Sequence, residues 1–147
     1  MQLNQGDPEK TMNSILLLGH LLGRILLGLF FLMNGVNHFI NLTSLTQYAA
    51  AQGVPLPTLA VMIGGVLLLF AGVTLVLGYL PHLGVLAVVL FFAPVNIMMH
   101  DFWALEGEAA QVQRVQFMKN MAITGGALMA LAIPLPWPKS IGPKRRL

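Results

Sequence analysis

The chain has 147 residues, 56% of them hydrophobic and 9% charged, with a formal charge of +3 and no cysteine. Its mean hydropathy is +0.77 and its charge content falls far below the roughly 25% of a soluble domain, which describes an integral membrane protein with no room for a separate soluble domain. Zero cysteines exclude disulfide staples, thiolate-ligated zinc or iron–sulfur centres and dithiol exchange, and the small basic cluster of Lys139 and Lys144–Arg146 is a topology signal rather than a nucleic-acid surface.

In chain order, residues 1–13 read as a polar tail without the cleavage signature of a signal peptide. Ser14 to about Phe39 forms a first span, longer than the roughly 20 residues a bilayer core requires. Arg24 lies about ten residues inside it, about 15 Å of helical rise. Facing lipid, an ionised group there costs at least ~2.5 kcal/mol, so it faces protein, water or the interface. His20, Phe31 and His38 fall within about 40° of Arg24 around the helix and Asn34 lies at the edge of that face, which therefore turns inward. Two roles are open to Arg24: bonding carbonyls at the ends of neighbouring helices, or touching a ligand.

Residues 41–57 make the first connection, with a short interfacial helix from Thr43 to Gln52 stopped by Gly53. Thr58 to about Leu77 is a second span whose Gly64, Gly65 and Gly72 let neighbouring backbones approach closely. After a tight turn, Leu83 to about Met99 forms a third span. Pro94 inside it should kink it, and Asn96 stands where it can satisfy the freed backbone groups. Asn96 and His100, four apart, share a face. Residues 100–111 are an acidic connection in which Trp103 suits an interfacial aromatic belt. A fourth span runs from near Val112 to Ile133, and residues 134–147 read as a Pro-rich basic tail. The expectation is an all-α fold: one four-helix transmembrane bundle over residues 14–133, with a short interfacial helix in its first outer connection and no internal repeat.

Four spans put both termini on one side, and the positive tail together with Lys10 makes that side cytoplasmic. The polar residues Asn34, His38, Asn96, His100, Asp101, Trp103, Lys119 and Asn120 then gather at the outer leaflet. Polar groups at helix ends are cheap, because water solvates them. The variety is the informative part: two imidazoles, a carboxylate and an ammonium can handle protons or hold a polar carbonyl ligand, and the geometry would suit a quinone head. With Arg24, these residues form the candidate ligand-binding set. His38, His100 and Lys119 are expected to line one pocket between the first, third and fourth spans, with the second as its apolar wall. No catalytic residue and no metal ligand is assigned. Haem is not expected: it needs two facing imidazoles, for which His38 with His100 is the only plausible pair, and the Arg and Lys nearby could equally pair haem propionates or simply face water. A transporter is disfavoured, because no carboxylate lies across the middle of the spans to form a relay.

Several motifs agree with a known family. Arg24, Gly28, Phe31 and Gly35 in the first span, Gly53-Val-Pro-Leu-Pro57 in the first connection, His100-Asp-Phe-Trp103, and Phe117-Met-Lys-Asn120 followed by Gly125-Gly126 together resemble the DoxX family of small four-helix bacterial membrane proteins. Two positions depart from the family pattern. His38 stands where a Lys is often found and Leu68 where a Glu is often found, so a possible buried ion pair is absent as a whole rather than broken. The resemblance implies a bacterial cytoplasmic (inner) membrane location and an association with quinol oxidase and thiosulfate:quinone oxidoreductase systems. It leaves two readings: a membrane component of a quinone-linked redox system, oxidoreductase-associated rather than a stand-alone enzyme, or a non-enzymatic accessory subunit. The expected partners are the bilayer and other membrane subunits or a second copy, not nucleic acid.

Overall fold

Two Leu-Pro dipeptides set where the central helices begin. Leu56 and Leu80 take left-handed backbone conformations, with φ of 47° and 50°, and each is followed by a proline in the first helical turn. There the missing N–H costs nothing and the fixed φ already suits a helix, while the residue before it is turned away from the right-handed helical region. The computed structural model describes residues 8–141, and side chains from Asn13 onward. Its elements are α1 (Pro8–Ile40), α2 (Leu42–Ala51), α3 (Pro57–Leu77), α4 (Pro81–Met99), a 3-10 turn (Phe102–Ala104), α5 (Gly107–Met129) and a second 3-10 turn (Ala130–Ala132). No strand occurs among the described residues.

Three stretches are long and apolar enough to cross a membrane: Asn13–Ile40, Pro57–Leu77 and Pro81–Ala104. Where a fourth span is expected the structure has the helix α5, but Glu108, Gln111, Gln113, Arg114, Gln116, Lys119 and Asn120 crowd its N-terminal part and set it apart from the three apolar helices. It also begins at Gly107 rather than near Val112. The short helix expected in the first connection appears as α2, from Leu42 to Ala51. Lys10 and Lys144–Arg146, on which the expected orientation rests, lie outside the described side chains.

Glycine brings α1 and α3 together. A Cβ at Gly28 would stand 3.0 Å from the Gly72 carbonyl oxygen, one at Gly72 would stand 2.8 Å from the Gly28 oxygen, and one at Gly35 would stand 2.9 Å from the Leu69 nitrogen. The backbones therefore touch where side chains would hold them apart, which is how helices gain dispersion contact in lipid. The core collects around Phe31 of α1, Leu68, Ala71 and Leu75 of α3, and Val85, Val88 and Phe92 of α4, with Ala127 of α5. Leu68 is 1% exposed in this core, where it packs among apolar side chains.

The reading of residues 134–147 as a tail misses a packed segment. Trp137 is 1% exposed and is the largest fully buried side chain among the described residues. Its ring meets His20 edge-on at 5.0 Å, and its indole N–H donates to the Ile133 carbonyl at 3.3 Å. The backbone N–H of Ile141 then donates to the Leu77 carbonyl at 3.2 Å. The chain after α5 thus closes one end of the bundle.

Candidate functional site

The two ends of the bundle hold different polar groups. At the end where α3 turns into α4, Arg24 is 6% exposed. Its Nη1 donates to the Pro138 carbonyl and its Nη2 to the Lys139 carbonyl, both at 2.8 Å. Gly78, in the left-handed region with φ of 67°, leaves the room: a Cβ there would lie 2.7 Å from Nη1 of Arg24. Of the two roles open to Arg24, the structure displays carbonyl bonding, and it separates this side chain from the other candidate residues.

The opposite end contains a cleft of about 370 Å³ between the end of α1 and helices α2, α3 and α4. Leu45, Tyr48 and Ala49 present one face of α2 to it, spaced as one helical stripe. Val61, Gly64 and Leu67 of α3 and Phe91, Pro94, Val95 and Met98 of α4 complete its mainly apolar walls. His38 and His100 are its two imidazoles. The structure therefore brings these two histidines to one cavity. The short helix α2 serves as a wall, a role the sequence left unassigned.

Each imidazole is held by one ring nitrogen. His38 Nδ1–H donates to the Asn34 carbonyl, one turn back, at 2.8 Å, and the ring meets Phe91 edge-on with centroids 5.5 Å apart. His100 Nδ1–H donates to Gln113 Oε1 at 2.8 Å. Gln113 in turn donates through Nε2 to the Tyr48 hydroxyl at 3.3 Å, and Tyr48 donates to the Met99 carbonyl at 3.4 Å. One chain of hydrogen bonds thus ties α2, the end of α4 and α5 together behind His100.

The remaining candidates lie elsewhere. Asn34 spends its amide on the Phe30 carbonyl at 2.7 Å. Asn120 donates to Asn96 at 3.0 Å, and the two, 5% and 4% exposed, clasp α5 to α4. Lys119 donates to Gln116 on its own helix, is exposed and does not line the cleft. The inward stripe of α5 runs through Ala110, Gln113, Phe117, Asn120, Thr124 and Ala127, so Lys119, about 100° round from Asn120, points away. Trp103 joins Phe102 and Phe117 in an edge-to-face knot, with the Arg114 guanidinium 5.3 Å above the Phe102 ring. Asp101 is half-buried and makes no side-chain cap to the turn it precedes. Tyr48 and Gln113 do not stand out in the sequence as site residues. A signal for Gln113 exists all the same, seven residues before Asn120 on one face.

The DoxX family model matches residues 19–101, more than half of the chain, covering α1 from Gly19 onward, α2, α3, α4 and His100. The chain belongs to the DoxX family. Among curated relatives, this DoxX-family protein is 29% identical over 116 residues to "Inner membrane protein YphA" of Escherichia coli (strain K12), spanning 79% of this chain and 82% of that protein. No solved structure matches. Family membership and three apolar helices make it a transmembrane protein, and the matched segment contains both imidazoles of the cleft but not Gln113.

Proposed function

We propose that this DoxX-family protein is a membrane component of a quinone-linked redox system and takes the ring of a lipid-soluble molecule into the cleft between His38 and His100. The observation that carries this reading is an apolar cleft whose titratable lining is two imidazoles and one phenol, with one ring nitrogen of each histidine left for a ligand. Apolar walls suit a hydrophobic ring and its chain, and a few placed polar groups fix the head. The α5 helix acts as the fourth crossing, running back along α4 from the Asn96–Asn120 clasp. The bilayer is the inner membrane, as the relative's printed name says of that protein, with both termini on the cytoplasmic side where Lys and Arg concentrate in the sequence. Equilibrium binding of a short-chain ubiquinone analogue, in its reduced and oxidised forms, to the protein in nanodiscs tests the reading. Saturable binding that His38→Ala and His100→Ala each weaken about tenfold or more supports it, and binding unchanged by both contradicts it.

A second reading rests on a different face. A Cβ added at Gly125 or Gly126 would meet nothing within 4 Å, and with Ala122 these glycines give α5 a small-residue surface open to a helix of another subunit. In this accessory role, Ala122→Leu with Gly126→Leu abolishes co-purification of a partner while leaving ligand binding intact.

A further inference from the structure

We infer that both imidazoles address the cleft as hydrogen-bond acceptors, so that the ligand it favours is a hydroxyl-bearing ring of hydroquinone type rather than the corresponding dione. This rests on the reading of the cleft as a ligand site, and adds to it the chemical state of the ligand. A carbonyl oxygen can only accept, so the bond between His38 Nδ1 and the Asn34 carbonyl at 2.8 Å fixes the proton on Nδ1. A neutral imidazole with Nδ1 protonated carries a bare lone pair on Nε2. The same assignment holds at His100 for a separate reason. Tyr48 donates its proton to the Met99 carbonyl, its oxygen therefore receives Gln113 Nε2–H, and the other end of that amide is the oxygen that meets His100 Nδ1. Two unconnected hydrogen-bond arrangements thus leave the same nitrogen, Nε2, as a lone-pair acceptor on both rings.

The placement of His38 directs that nitrogen usefully. Its Cδ2, the ring carbon bonded to Nε2, lies on the side of Gly64, 3.6 Å from where a Cβ on that glycine would stand, and Gly64 lines the cleft. Neither Nε2 is a fully buried atom without a partner, in contrast to that of His20. No carboxylate or ammonium lines the cleft to compete for them; Tyr48, the remaining titratable group there, has its proton engaged by Met99. A dione offers acceptors alone and meets lone pair with lone pair. A hydroquinone offers O–H donors, and a neutral imidazole accepts them.

The experiment compares three alkylated rings of one shape, bound anaerobically to the full-length protein in nanodiscs at about pH 8, above the ordinary imidazole range: the hydroquinone, its quinone and its dimethyl ether. The hydroquinone is expected to bind about tenfold or more tightly than either of the others, a ratio equivalent to ~1.4 kcal/mol. Equal binding of all three overturns the acceptor assignment while leaving the cleft as a shape-selective site. Binding of none overturns the assignment and the site together. His38→Gln and Gln113→Leu provide the independent control. The first supplies an amide that can donate, and the second frees the proton of His100, so each should bring quinone within a few-fold of hydroquinone with helical content unchanged. Selectivity retained in full by both folded variants also overturns the inference.

Discussion

At the arginine end, a buried cation gives two of its N–H groups to carbonyls of the segment that follows α5, and a tryptophan fills the core beside it. At the histidine end, two imidazoles are each anchored through Nδ1 and border an apolar cleft. Both ends look alike in the sequence, as polar residues punctuating apolar helices. What separates them is access: at the arginine end the unspent atoms, His20 Nε2 and Arg24 Nε, are fully buried and the groups in use hold the fold, whereas at the histidine end the imidazoles border a cavity that a ligand can enter.

The largest effect that sharpens this contrast is expected at Trp137. Trp137→Ala empties the most voluminous buried site and should lower stability by about 3–5 kcal/mol, read as a fall in the thermal unfolding midpoint in detergent, whereas His38→Ala should cost under about 1 kcal/mol. Equal losses at the two positions would erase the distinction. Next comes Arg24→Leu, which leaves the Pro138 and Lys139 carbonyls without their donors. About 1–3 kcal/mol is expected, with increased proteolysis after α5 and no change in ligand affinity. Altered affinity with unaltered stability would move Arg24 into the site. The smallest is at the Asn96–Asn120 clasp. Asn120→Leu should cost about 1–2 kcal/mol by orphaning Asn96, and adding Asn96→Leu should restore part of that loss. Additive losses would show that the pair is not coupled.

Much of the fold is legible in the sequence where the signal is local. Hydropathy locates α1, α3 and α4, Gly53 ends α2, and His38 and His100, which line one cleft, stand out because imidazoles at the ends of apolar spans are conspicuous. The failures have physical reasons. Arg24 bonds carbonyls 114 and 115 positions away, and backbone acceptors leave no mark in a sequence. Trp137 sits among prolines that suggest a tail, yet proline leaves such a segment free to fold back against the helices. The height of Lys119 along α5 suggests a pocket residue, but rotation about the helix axis decides what a side chain faces. Gln113 acts through Tyr48, a residue on a helix that neighbours it only in three dimensions.

Photolabelling tests the central claim, that the histidine end is the ligand site, most directly. A photoreactive alkyl hydroquinone, applied to the protein in nanodiscs and mapped by peptide mass analysis, should modify α2 between Leu42 and Ala51 and the α4 segment from Pro94 to His100. An excess of unlabelled hydroquinone should suppress that labelling, and His38→Ala should diminish it. Labelling that centres on Arg24 and Trp137, or that spreads along the exposed face of α1 without competition, would contradict the account.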